Sequence, residues 1–159
     1  MSIDILAFGA HPDDVEISCG GTLLHYRNEG KKIVVVDLTQ GELGTRGNAA
    51  LRMQECKASS TKLNLLDRIN LGMADGFFEE NDHNLRLIIK EIRHFKPRLI
   101  LANSVSDRHP DHGRAASLVA RAAFLSGLPK IETEDVDIIN KYVNKHKKAF
   151  KEYVSKKKP

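Results

Sequence analysis

The sequence predicts an α/β fold: a Rossmann-like parallel sheet of strand order 3-2-1-4 with helices on both faces, and a shortened C-terminal part ending in a helix. Three observations carry that reading. Apolar runs of strand length alternate with stretches of helical period. Two of those runs lead into the same tripeptide, His11-Pro12-Asp13 and His109-Pro110-Asp111. Finally, 159 residues with 41% hydrophobic and 29% charged content suffice for one core, so residues 1–159 are read as a single domain.

The elements follow in order. Ile3 to Gly9 is a continuous apolar run and predicts the first strand, and Val15 to Asn28 predicts a helix. Lys32 to Thr39 is β-branched and reads as the second strand. Ala49 to Leu63 follows as a helix and Arg68 to Leu71 as a short third strand. Asn84 to Phe95 places Leu85, Ile88, Ile89, Ile92 and Phe95 on one helical face, and Arg98 to Ala102 is the fourth strand. Parallel strands joined by helices put strands 1 and 4 side by side at the switch point, where open sheets bind ligands beyond their carboxyl ends. Both His-Pro-Asp boxes meet there, rimmed by the polar loops Gln40 to Asn48 and Gly72 to His83. Neither an internal repeat nor a domain linker is evident.

Composition narrows the class. The net charge of +4 is not spread over the chain: from Asp135 to Lys158 eight lysines face Asp135, Asp137 and Glu152, which leaves the remainder within one charge of neutral. Ile139, Tyr142, His146, Phe150 and Tyr153 recur there at helical spacing, so the segment reads as a solvated amphipathic helix and not a nucleic-acid or membrane patch. No transmembrane run exists, and Met1-Ser2-Ile3-Asp4 has no basic region before an apolar stretch, so a cytoplasmic protein is expected. Cys19 and Cys56 lie in helical stretches and form no Cys-x-x-Cys pair, which predicts neither a disulfide nor a thiolate metal site.

The chemistry can be built from residue types. His11 and Asp14 stand three apart across a proline-stiffened turn and can reach one ion, while His112 arrives from strand 4 to complete a two-histidine, one-carboxylate set. Such a set leaves one position open for water. Asp13, pointing elsewhere, is placed to take the proton of that water as general base. His109 would face the polarised substrate oxygen, stabilise an oxyanion and protonate a leaving amine, with Asp111 holding its ring. A single His-Pro-Asp would carry little, because His-Pro often ends a strand and a following Asp often caps a helix. Two of them at strand ends point to a metal-dependent hydrolase. Zinc suits this ligand set, and iron(II) or cobalt(II) would fit as well. His25, His83, His94 and His146 stand alone and are read as structural, and Glu16 is explained by a first-turn position that favours a carboxylate.

The stretches 7–16, Gly20-Gly21-Thr22, Leu38 to Gly47, Leu71 to Phe78 and Asp107 to His112 together resemble the LmbE-like, or PIG-L, de-N-acetylases, and most of all the bacillithiol-biosynthesis deacetylases. The resemblance runs from about Ile3 to Thr133. It implies a zinc enzyme that removes acetyl from an N-acetylglucosamine conjugate, here N-acetylglucosaminyl malate, and a homo-oligomer, since relatives form hexamers. By it His11, Asp14 and His112 match the zinc ligands, Asp13 the base and His109 the oxyanion-stabilising residue, while Arg52 and Asp75 fall where relatives hold sugar hydroxyls. From about residue 134 the chain is abbreviated: Asp135-Val136-Asp137-Ile138 follows Thr133 almost directly, where relatives carry a further strand with paired aromatics.

Two other readings fit parts of the sequence. A shortened family member could bind metal or sugar with little turnover. A nucleotide-binding module, suggested by Gly20-Gly21, has neither Gly-x-Gly-x-x-Gly nor Gly-Lys-Ser/Thr, and carboxylates at its turn would repel phosphate.

Overall fold

A computed structural model describes residues 2–45 and 47–133. The elements in chain order are β1 (Ile5–Gly9), α1 (Asp14–Asn28), β2 (Ile33–Thr39), α2 (Ala49–Lys62), β3 (Asp67–Met73), α3 (Asp82–Phe95), β4 (Leu99–Leu101) and α4 (Pro110–Ser126). All strand pairs are parallel, and the sheet order is β3-β2-β1-β4. This is the order expected from the alternation, and β1 and β4 are neighbours in register from Ile5 opposite Leu99 to Ala7 opposite Leu101.

Alternation along the central strands sorts the core into two layers. Leu6, Phe8, Val34, Val36 and Leu38 point to one face and pack with Leu85, Ile88 and Ile89 of α3 and Leu118 and Val119 of α4. Ile5, Ala7, Ile33 and Val35 point to the other and pack with Val15 and Leu23 of α1. Both faces are thus covered, which is why β1 and β2 read as unbroken apolar runs.

Two features differ from the expectation. The third strand begins at Asp67 and continues to Met73, and Arg68, which reads as a boundary residue, is buried against Glu16 and Asp37. A helix not among the expected elements, α4, starts at the second box with His109 as its cap and Pro110 in its first turn, a position where proline's missing N–H costs nothing. The helix expected within 135–158 lies outside the described residues. Of the two cysteines, Cys56 is buried, Cys19 is half-buried, and both are free. Among the described residues no helix is long and apolar enough to cross a membrane.

Candidate metal centre

The turn after β1 builds half of the site. Glycine suits position 9, since a Cβ there would stand 3.1 Å from both the Asp14 Cβ and the His11 carbonyl oxygen and would press on the turn. Asp13, at the cap of α1, has φ 143°, a conformation that non-glycine residues rarely adopt and that costs on the order of 1–3 kcal/mol. Strain held at this one residue sends the adjacent Asp13 and Asp14 carboxylates in different directions.

Asp14 is nearly enclosed. Its Oδ2 accepts the His11 N–H at 3.0 Å and the Asn103 Nδ2–H at 3.0 Å, and Oδ2 and Oδ1 lie 3.5 Å from His11 Nδ1 and 3.2 Å from His112 Nε2 respectively. Burial raises its pKa, but the hydrogen bonds from His11 and Asn103 and the nearby His112 outweigh that and bring it to about 2. Burial by itself would lower the His11 pKa; Asp14, Asp111 and Asp75 reverse this and raise it to about 9.

The second box completes the cluster. The rings of His11, His109 and His112 lie with centroids 4.7 to 5.6 Å apart. Behind His112, Nδ1 meets the Asp107 carboxylate at 3.1 Å, so Nε2 is directed to Asp14. Behind His11, Nε2 meets Asp75 Oδ1 at 3.0 Å and Asp111 Oδ2 at 3.1 Å, so Nδ1 is directed to Asp14. A carboxylate backing a histidine in this way fixes ring orientation and raises ligand basicity. His109 lacks that backing: its Nδ1 accepts the Asp111 N–H at 3.3 Å, which puts the neutral ring's proton on Nε2.

This corrects one sequence expectation. Asp111 does hold the His109 ring, but with its backbone amide. Its carboxylate is 1% exposed and turns instead to His11, the Gly76 N–H and Arg114. The reason lies in the first turn of α4, whose free amide at Asp111 needs an acceptor, and the capping His109 supplies it.

Asp13 is half-exposed at the crevice edge, 3.7 Å from Arg52. Burial pushes its carboxyl above the ordinary carboxylate value, Arg52 and His11 oppose this, and Asp14 and Glu16 add to it. Arg52 reaches this spot from α2 across Gly41, where a Cβ would sit 1.9 Å from its guanidinium. Asp75 is buried, with Oδ1 on His11 and Oδ2 accepting the Leu43 N–H at 2.9 Å. Both line the same crevice of about 390 Å³ as His11, Asp13, Asp14, His109, Asp111 and His112. All eight residues singled out in the sequence are therefore brought together. Those the sequence reading missed are Asn103, Asp107 and Arg114, and also the partners of Glu16. That side chain bonds Arg68 and Ser59, while Arg68 is paired to the buried Asp37 at 2.7 Å, so Glu16 is more than a first-turn carboxylate.

The donor set fits a divalent ion. Tetrahedral bonds of 2.0–2.1 Å imply ligand separations of about 3.3 Å; Asp14 Oδ1 stands 3.2 Å from His112 Nε2, while the 3.5 Å approach to His11 Nδ1 is made by its other oxygen, Oδ2. Among the described residues two groups have ligand atoms all within 4.8 Å of one another, His11 with His109 and His112, and His11 with Asp75 and Asp111, and Asp14 belongs to neither. The carboxylate backing separates these alternatives. His11 and His112 have it, as metal-bound histidines usually do, whereas His109 is committed to capping its helix.

The profile of the PIG-L family, described as GlcNAc-PI de-N-acetylase, matches residues 6–124. The chain is 28% identical over 142 residues to diacetylchitobiose deacetylase of Thermococcus kodakarensis, which covers 83% of this chain and 53% of that protein. It is 29% identical over 175 residues to the probable N-acetyl-alpha-D-glucosaminyl L-malate deacetylase 2 of Bacillus anthracis, covering 96% of this chain and 76% of that one. A crystal structure of a conserved protein from Thermus thermophilus superposes with a TM-score of 0.79 at 38% identity, covering 83% of this chain and 60% of that one. The chain thus spans about half the length of the Thermococcus enzyme. With the matched profile running from β1 into α4 and through both His-Pro-Asp boxes, the chain belongs to the PIG-L family of de-N-acetylases.

Proposed function

We propose that this chain hydrolyses the acetamide of an N-acetylglucosamine conjugate, releasing acetate and the free amine, with His11, Asp14 and His112 holding a zinc-type ion. The observation that carries the reading is the convergence of the two boxes: a carboxylate between two backed histidines, with a second carboxylate and a third histidine beside it. The ion would acidify water and polarise the amide carbonyl.

The protein's own groups supply the rest. Asp13 stands clear of the ligand set, half-exposed at the crevice edge, and accepts the proton of the attacking water. His109 donates Nε2–H toward the oxygen on which charge develops, and the nitrogen of the broken C–N bond takes up a proton to leave as an amine. Arg52 and Asp75, by the family resemblance, hold sugar hydroxyls at the crevice wall.

For the aglycone, the malate conjugate is the choice that the resemblance implies, and the Bacillus anthracis relative, whose match covers 96% of this chain, supports it. Such a substrate belongs to the cytoplasm, and assembly into homo-oligomers follows from the same resemblance. Iron(II) and cobalt(II) share the ligand preferences of zinc and remain alternatives for the ion. The test is to load the protein with each metal, offer N-acetylglucosamine and its malate, inositol and chitobiose conjugates, and assay acetate and free amine. Tight binding of metal and sugar with no product from any conjugate would favour the alternative of a binding subunit.

A further inference from the structure

The chemistry above gives Asn103 no part, yet this side chain sits at the meeting point of the two boxes. Asn103 lies two residues beyond β4. Its Oδ1 accepts the Ala10 N–H at 2.9 Å, beside the end of β1, and its Nδ2 donates to Asp14 Oδ2 at 3.0 Å. The first bond fixes the second. A rotated amide would set its N–H₂ against the Ala10 N–H and its carbonyl against the Asp14 carboxylate, so only one orientation satisfies both neighbours.

We infer that Asn103 is a positioning residue for the metal centre, holding Asp14 in the rotation that leaves Oδ1 toward His112. Oδ2 receives two N–H donors, from Asn103 and from the His11 backbone, which satisfies that oxygen within the protein. Oδ1 is left beside His112 Nε2 at 3.2 Å, on the side where the ion belongs. The His11 amide is local to the turn and can tolerate rotation of the carboxylate. The amide of Asn103 comes from another strand and, anchored on Ala10, cannot follow it. The ligand from the first box is thereby locked to the strand that delivers the ligand from the second. The inference rests on the proposed ligand set, and its test keeps the two separable.

The competing role for Asn103 is purely structural: tying the tips of β1 and β4 through Ala10. A double-mutant cycle distinguishes them. Zinc affinity is measured by chelator competition for wild type, Asn103→Ala, Asp14→Ala and the double variant. Asn103→Ala is expected to weaken zinc binding 10- to 100-fold, as removal of an outer partner of a ligand does. In the Asp14→Ala background the same change is expected to have less than a threefold effect, because the group it acts through is gone. Equal losses in both backgrounds would overturn the positioning role, as would an unchanged affinity in Asn103→Ala. If Asp14→Ala alone leaves zinc affinity intact, the ligand set fails instead. Should Asn103→Ala not fold, the wild-type protein decides by nitrogen-resolved proton NMR. One Asn103 carboxamide proton should be displaced downfield by its hydrogen bond and move again on zinc loading, whereas a carboxamide pair that is indifferent to zinc would refute the inference.

Discussion

Metal uptake should be driven by alkalinity through a single proton on His11. In the metal-free protein Asp14, Asp111 and Asp75 overcome burial and raise the His11 pKa from 6.5 to about 9, so at pH 7 only about 1% of the ring is neutral. A zinc ion needs the neutral nitrogen. Binding must therefore release close to one proton from this ring, and zinc affinity should rise roughly tenfold per pH unit from about 7 to 8.5, levelling off near 9. The assay is zinc titration against a chromophoric chelator at several pH values, with calorimetry in buffers of different ionisation heat to count protons. Affinity that is flat across this range, or no proton released at pH 7, would refute the reasoning. The same shifts predict the metal-free protein's own stability. His11, with its pKa raised, contributes fully below about 6.5 and loses that contribution as pH climbs through about 9. Asp14, with its pKa lowered, contributes fully above 3.8 and loses it as pH falls through about 2.

Other outcomes follow from the same geometry. Asp13→Asn should keep one ion per chain by elemental analysis yet lose roughly 10²- to 10⁴-fold in turnover, since the amide is nearly isosteric but cannot accept the proton. His109→Ala should also retain the metal and lose on the order of 10²-fold in kcat with a smaller change in KM; if it strips the ion as His112→Ala does, the histidine roles are wrong. Arg68→Met leaves Glu16 and the 3% exposed Asp37 without their cation, so denaturant unfolding should show a loss of roughly 3–5 kcal/mol; a loss under about 1 kcal/mol would mean that the pair is not desolvated in solution.

Much of this was legible in the sequence because β1 and β2 are apolar on both faces and the site residues fall in two short boxes at strand ends. Ile33 to Leu38 can only be a buried strand, and the switch-point rule then brings Asp14 and His112 together across 98 residues. What stayed hidden depends on side chains whose meaning is set by distant partners. Arg68 reads as the edge of a strand until Asp37 and Glu16 neutralise it inside the fold. Asn103 and Asp107 sit in a polar loop that looks like any other, and only the fold places one on Asp14 and the other on His112. The strain at Asp13 has no sequence signal, since the usual marker of positive φ is glycine. The sequence pairs Asp111 with His109 of its own box, whereas its carboxylate turns to His11, 100 residues away.

The central claim is that these residues cleave an acetamide on an amino sugar. It is tested most directly by incubating the zinc-loaded chain and its Asp13→Asn variant with the N-acetylglucosamine conjugates and quantifying acetate and amine together. The predicted result is equimolar acetate and free amine from at least one conjugate with the wild-type chain, and at least a hundredfold slower release by the variant at equal metal content. Absence of product from every conjugate at full metal occupancy, or equal rates for the two proteins, would contradict it.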